Sequence, residues 1–126
     1  MLYAILCYDH EDIVTSWTKE EDDAVLAKLA VVKDELASQG RLGPTARLMP
    51  TTSAMTIRKG KEPVVLDGPF AETKEALLGF YVVECATLED ALQVGKDLAK
   101  ASSSPGAYEI RPLRLFMKGT AGGSVE

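Results

Sequence analysis

Asp67, Glu72 and Lys74 fall in one short stretch, LDGPFAETKEALLGFYVV, from Leu66 to Val83. These residue types could do proton chemistry. A carboxylate at the end of an apolar strand, turned into a pocket, can serve as general acid or base, and Asp67 stands at such a strand end. Glu72 offers a second acid/base group. Lys74 could hold an anionic group or steady a developing oxyanion. His10, the one histidine in the chain, is a further proton carrier, although a loop histidine between Asp9 and Glu11 is ordinarily a solvated one. Tyr8, Arg47, Arg58 and Tyr81 are the polar neighbours that could surround a small anionic ligand. The same stretch also reads as a turn. Asp67 accepts backbone hydrogen bonds, Gly68 relaxes the dihedral limits and Pro69 fixes φ. Asp67 or Thr73 could then cap a short helical turn over Lys74 to Leu77, with Glu72 and Glu75 at its positive end.

Other chemistries lack their motifs. The chain has no phosphate loop, no dinucleotide fingerprint and no nucleophile elbow. Cys7 and Cys85 each sit in an apolar, strand-like run, which suits buried free thiols better than a disulfide. With a single histidine they do not supply zinc-ligand spacing, so neither a metal nor a cofactor is expected. The net charge of −5 argues against nucleic acid as a partner. The basic knot Arg58-Lys59-Gly60-Lys61 reads as a solvated hairpin tip. No run reaches the length of a membrane span, and the apolar start is too short for a signal peptide, so a cytoplasmic location is expected. A chain of 126 residues fits one domain. That domain is expected over 1–118, with a disordered small and polar tail over 119–126.

The elements that must position these side chains follow from periodicity and punctuation. Leu2 to Tyr8 is a continuous apolar run and predicts a central strand. Thr18-Lys19-Glu20-Glu21 is a capping box. It opens a helix with Val25, Leu29, Val32 and Leu36 on one face, closed by Gly40. Trp17, just before the box, reads as a hydrophobic staple or a lid over the helix start. Short strands are predicted at Ala46–Met49, Ala54–Arg58 and Val64–Leu66, the last two joined as a hairpin. Leu77–Cys85 is a long apolar strand. Thr87 caps a second helix, with Leu88, Ala91, Leu92, Gly95, Leu98 and Ala99 as its buried stripe. Ser102-Ser103-Ser104-Pro105-Gly106 stops it. The last strand runs from Ala107 to Phe116, and Pro112 marks it as an edge.

The order β-α-β-β-β-β-α-β is read as the β-α-β-β-α-β plan of ferredoxin-like α+β folds with an extra hairpin strand. The first strand is expected beside, and parallel to, the strand at 78–85. That direction places His10 and Asp67 at opposite ends of the sheet, about 20 Å apart. A His10–Asp67 pair would need a loop crossing the sheet or a second subunit. A single sheet of this type leaves one face half covered, which suits a homodimer packed face to face.

The segment DGPFAETKE resembles the signature of the DGPF, or YCII-related, domain family. The likeness extends through CYDHEDIVTSWTKEEDDAVLAKLAVVKDEL, GRLGPTARLMPTTSAMTIRKG and GAYEIRPL, and ends near Lys118. It implies a ferredoxin-like α+β fold associating as a dimeric α/β barrel in a bacterial cytosolic protein. It also implies a regulatory link to extracytoplasmic-function sigma factors, beside which members often occur. The catalysis proposed in the wider family rests on a histidine–aspartate pair. This chain departs from it, with Leu29 where relatives often carry a helix histidine and DLAKASSSPG where one branch has an aspartate-proline pair. Asp67 is the acid that still matches. Two functions follow as expectations: a small cofactor-independent lyase- or isomerase-like enzyme using Asp67, or a non-catalytic ligand-sensing or partner-binding dimer.

Overall fold

The apolar run at the start forms β1 (Leu2–Asp9), and the rest of the sheet is arranged on either side of it. The structure, a computed structural model, describes residues 1–121. After β1 come α1 (Glu11–Ser16), α2 (Lys19–Ser38), β2 (Leu42–Arg47), β3 (Met55–Arg58), β4 (Val64–Asp67), β5 (Ala76–Glu84), α3 (Leu88–Ala101) and β6 (Ala107–Pro112). Four strands make one antiparallel sheet in the order β2-β5-β1-β6, while β3 and β4 pair with each other as a separate ribbon. The result is an α+β fold compatible with the ferredoxin-like plan. Of the tail expected to be disordered, residues 122–126 lie outside the described residues.

Local chemistry explains the helices. The Thr18 hydroxyl accepts the Glu21 N–H, and the Glu21 carboxylate accepts the Thr18 N–H, so the capping box starts α2 as read. At the far end Gly40 has φ +68. The Gly40 N–H donates to Ala37 O at 3.0 Å and the Arg41 N–H to Leu36 O at 2.9 Å, a Schellman closure. Thr87 caps α3 by accepting the Asp90 N–H.

The core lies between the sheet and the helices α2 and α3. It is built on Ile5 of β1, Val83 of β5, Cys85 just after it, Leu36 of α2 and Leu98 of α3. Ile5, Val83 and Leu98 are fully buried. Each contributes roughly 1.5–3 kcal/mol of burial. Gly95 lets α3 settle on β6, since a Cβ there would stand 2.9 Å from the Ile110 side chain. Cys7 and Cys85 are free thiols, as expected.

Several expectations are corrected. β1 runs antiparallel to β5, pairing Asp9 with Ala76, so the end of β1 lies at the start of β5. His10 and the Thr73–Glu75 segment are therefore neighbours, not residues at opposite ends of the sheet. The sequence order was right, but a split β-α-β unit inserts an antiparallel strand between its two parallel ones. The extra piece is the whole β3–β4 ribbon and not one strand. The residues after β1 form a short helix, α1, for which the sequence reading has no element. No helical turn covers Lys74 to Leu77; the Thr73 hydroxyl donates to the Glu75 carbonyl instead, and β5 begins at Ala76. Val94 joins the buried stripe of α3, whereas Leu88 and Leu92 face outward. β6 is an edge strand, as Pro112 indicated, but ends there.

Candidate functional site

A single row of residues crosses the sheet beneath the first half of α2. Tyr108 of β6 pairs with Cys7 of β1, Cys7 with Gly79 of β5, and Gly79 with Arg47 of β2. Tyr81 lies two residues along β5, opposite Ile5. Because side chains alternate along a strand, these residues share the helix-facing side with Ile5. They floor a cavity of about 310 Å³. Val25, Leu26 and Leu29 of α2 and Trp17 close its apolar side, and the loop after α3 closes its end. Trp17, just before the start of α2, thus borders the cavity.

Two carboxylates line the cavity, Asp22 from α2 and Asp9 at the end of β1. One Asp9 oxygen accepts the His10 N–H at 2.8 Å, and the other accepts the Ser104 hydroxyl. The Ser104 and Ser102 hydroxyls lie 2.8 Å apart. Gly106 allows the loop to press this close: a Cβ there would collide with the Tyr8 carbonyl and stand 2.7 Å from the Asp9 carboxyl carbon.

Three proton-bearing groups stay neutral on the floor. Burial pushes the Cys7 thiol up to about 12, and the negative charge of Asp9 adds to the shift. Burial also pushes Tyr81 up to about 12; Cys7 adds to this and the Arg47 guanidinium opposes it. Tyr108 is raised above the tyrosine range, first by burial, then by Cys7 and Tyr81, with a hydrogen bond to Ser102 opposing. Each is therefore a hydrogen-bond donor at neutral pH. Arg47 grips Asp22 of α2 with two hydrogen bonds, 2.9 and 3.2 Å, so its charge is already met.

The structure sorts the residues singled out from the sequence. Tyr8, Arg47 and Tyr81 line the cavity. The Tyr8 hydroxyl donates to Glu109 at 3.3 Å. Asp67 does not line it. It is exposed at the end of β4, paired with Met55. Arg58 lies 4.9 Å from the Phe70 ring centre, a cation–π contact on the exposed ribbon. Glu72 is exposed. Lys74 is exposed as well, and borders a polar groove with His10, Glu11, Asp12 and Thr73. His10 Nε2 stands 3.9 Å from the Glu75 carboxylate. The Asp-Gly-Pro-Phe turn has its own structural account. Gly68 has φ +93, a value that favours glycine. The Gly68 N–H donates to Ala54 O at 2.9 Å, and its carbonyl accepts the Thr56 hydroxyl at 2.8 Å.

Asp9, Cys7, Tyr108, Ser102 and Ser104 were missed. Each had a sufficient structural reading, as strand residues or as a helix stop. The available signal was the alternation in β1 and β6, which puts Cys7 and Tyr108 on the core face next to a polar strand end. Among the described residues, no group of three or more His, Cys, Asp and Glu side chains is placed to hold a metal ion. No helix among them is long and apolar enough to cross a membrane.

The YCII-related domain matches residues 1–117. An uncharacterised protein of Rhizobium meliloti (strain 1021) is 52% identical over 120 residues, covering 94% of this chain and 97% of its own. The match spans β1 to β6 and so takes in every element that builds the cavity. The chain belongs to the YCII-related domain family.

Proposed function

We propose that the protein binds a small molecule in the cavity over Cys7 and acts on it by proton transfer, as a cofactor-independent lyase- or isomerase-like enzyme. Asp9 is the acid/base group in this reading, in place of Asp67. The observation that carries it is the setting of Asp9, a carboxylate on the cavity wall fixed by the His10 N–H and the Ser104 hydroxyl. A positioned carboxylate can take a proton from a bound carbon acid and return it elsewhere. Asp67, Glu72 and Lys74 are exposed and none of them lines this cavity.

A second reading keeps the cavity but not the chemistry: a ligand-sensing cytoplasmic homodimer linked to sigma-factor regulation. The β3–β4 ribbon supports its dimeric part. Met55, Ile57, Val64, Val65 and the nearby Phe70 are all more than half exposed, a concentration of apolar surface that suits a protein contact.

A thermal-shift series with small ketones and organic acids tests the site, using wild type, Asp9→Asn and Asp67→Asn. Ligand-induced shifts should fall in Asp9→Asn and persist in Asp67→Asn. The opposite pattern moves the site to the ribbon loop. Solvent deuterium incorporated into a bound ligand identifies an enzyme; binding without exchange identifies a sensor.

A further inference from the structure

The strands of the cavity floor offer an anion no uncommitted cation. Arg47 is tied to Asp22 through both terminal nitrogens. Asp9 adds a negative charge at the wall, and Lys33 borders the cavity from α2. A carboxylate ligand on the floor would meet Asp9 and find Arg47 engaged. What the floor does supply is neutral donors, the Tyr81 and Tyr108 hydroxyls and the Cys7 thiol.

Register sets their geometry. Tyr108 is directly opposite Cys7 on one side of β1, and Tyr81 is diagonal to Cys7 on the other. Their strands are separated by β1 alone, about 10 Å across the sheet, a gap two phenol side chains can span toward one ligand atom. Cys7 perturbs both tyrosines, and Tyr81 perturbs Tyr108, which puts the three groups within electrostatic reach of one another. The size sets a further limit. A cavity of about 310 Å³ is at the small end of ligand pockets, and its apolar wall of Trp17, Val25 and Leu29 suits a flat ring.

Resting on the proton-transfer reading, we infer that the ligand is a compact, uncharged, enolisable ketone or enone, whose carbonyl oxygen is held by Tyr81 and Tyr108 while Asp9 takes the proton from a neighbouring carbon. The C–H bond breaks and the proton bonds to an Asp9 oxygen. The electron pair moves into the carbon framework and onto the carbonyl oxygen, where the two phenol donors meet the developing charge. Return of the proton to another carbon releases an isomer, and no electrons are gained or lost. Ser104 and Ser102 form a chain of hydroxyls from Asp9, and both line the cavity together with Tyr108.

The test uses the full chain and three probes. 4-Nitrophenol imitates the enolate oxygen, benzoate presents a carboxylate on a ring of the same size, and 2-cyclohexenone reports proton exchange in deuterium oxide by NMR. Calorimetry should show 4-nitrophenol binding at least about tenfold tighter than benzoate, with Tyr81→Phe and Tyr108→Phe each weakening it by roughly tenfold. Thermal melts of these near-isosteric variants confirm that they fold. Exchange into 2-cyclohexenone should vanish in Asp9→Asn and slow by about tenfold in each tyrosine variant. Benzoate binding as tightly as the phenol, or exchange that needs Asp9 but ignores both tyrosines, overturns this inference and leaves proton transfer at Asp9 standing. Absence of both binding and exchange overturns the two together.

Discussion

The Ser104 hydroxyl donates to the carboxylate of Asp9, tying the end of the first strand to the loop after the last helix across 95 positions of sequence. This bond sets which way the carboxylate faces. Ser104→Ala removes a hydrogen bond to a charged acceptor and should lower stability by about 1.5–3 kcal/mol. Urea unfolding measures the loss. Ser104→Thr keeps the hydroxyl and should recover part of it. If Ser104→Ala and wild type share a midpoint, the loop does not hold Asp9.

Gly106 makes that contact sterically possible. A methyl group there would strike the Tyr8 carbonyl and the Asp9 carboxyl, so Gly106→Ala should cost about 1–3 kcal/mol through overpacking. It should also reduce ligand-induced thermal shifts. Gly60, at the ribbon tip, has nothing within 4 Å of the equivalent position. Gly60→Ala should stay within about 0.5 kcal/mol of wild type.

Alkaline pH should weaken the fold through the cavity floor. The Cys7 thiol moves from an ordinary 9.0 to about 12 and Tyr81 from 10.0 to about 12. Both are raised, so the folded state holds protons that the unfolded state has begun to lose. Their contribution is complete below about pH 9 and is lost as pH rises through about 12. Urea midpoints should fall across that window. Iodoacetamide should also label Cys7 far more slowly in the native protein than in urea at pH 8. Equal rates in the two states would show that Cys7 is neither shielded nor held protonated.

The ribbon offers a separate test of self-association. Val65 is 61% exposed on a strand that pairs only with β3. If the dimer uses this surface, Val65→Lys should weaken self-association by tenfold or more with little change in the thermal stability of the protomer. Sedimentation equilibrium reads the first and calorimetry the second. A wild type that sediments as a monomer at micromolar concentration removes the dimer reading.

The sequence by itself determined the main strands and the two long helices, though not the short helix α1. Thr18 with Glu21, Thr87, Gly40 and the apolar runs at Leu2 and Leu77 are local signals, and local hydrogen bonding and periodicity suffice to act on them. The segment around Asp67 identified the family, yet its side chains shape a turn held by Gly68 and Thr56 and lie outside the cavity. Only the tertiary structure decided the site. Cys7, Gly79, Arg47 and Tyr108 come from four different strands, and they form one row because the strands pair antiparallel in a specific register. A shift of one residue would turn each of them to the opposite face. Register is a property of the assembled sheet, so no spacing within a single segment reveals which residues meet.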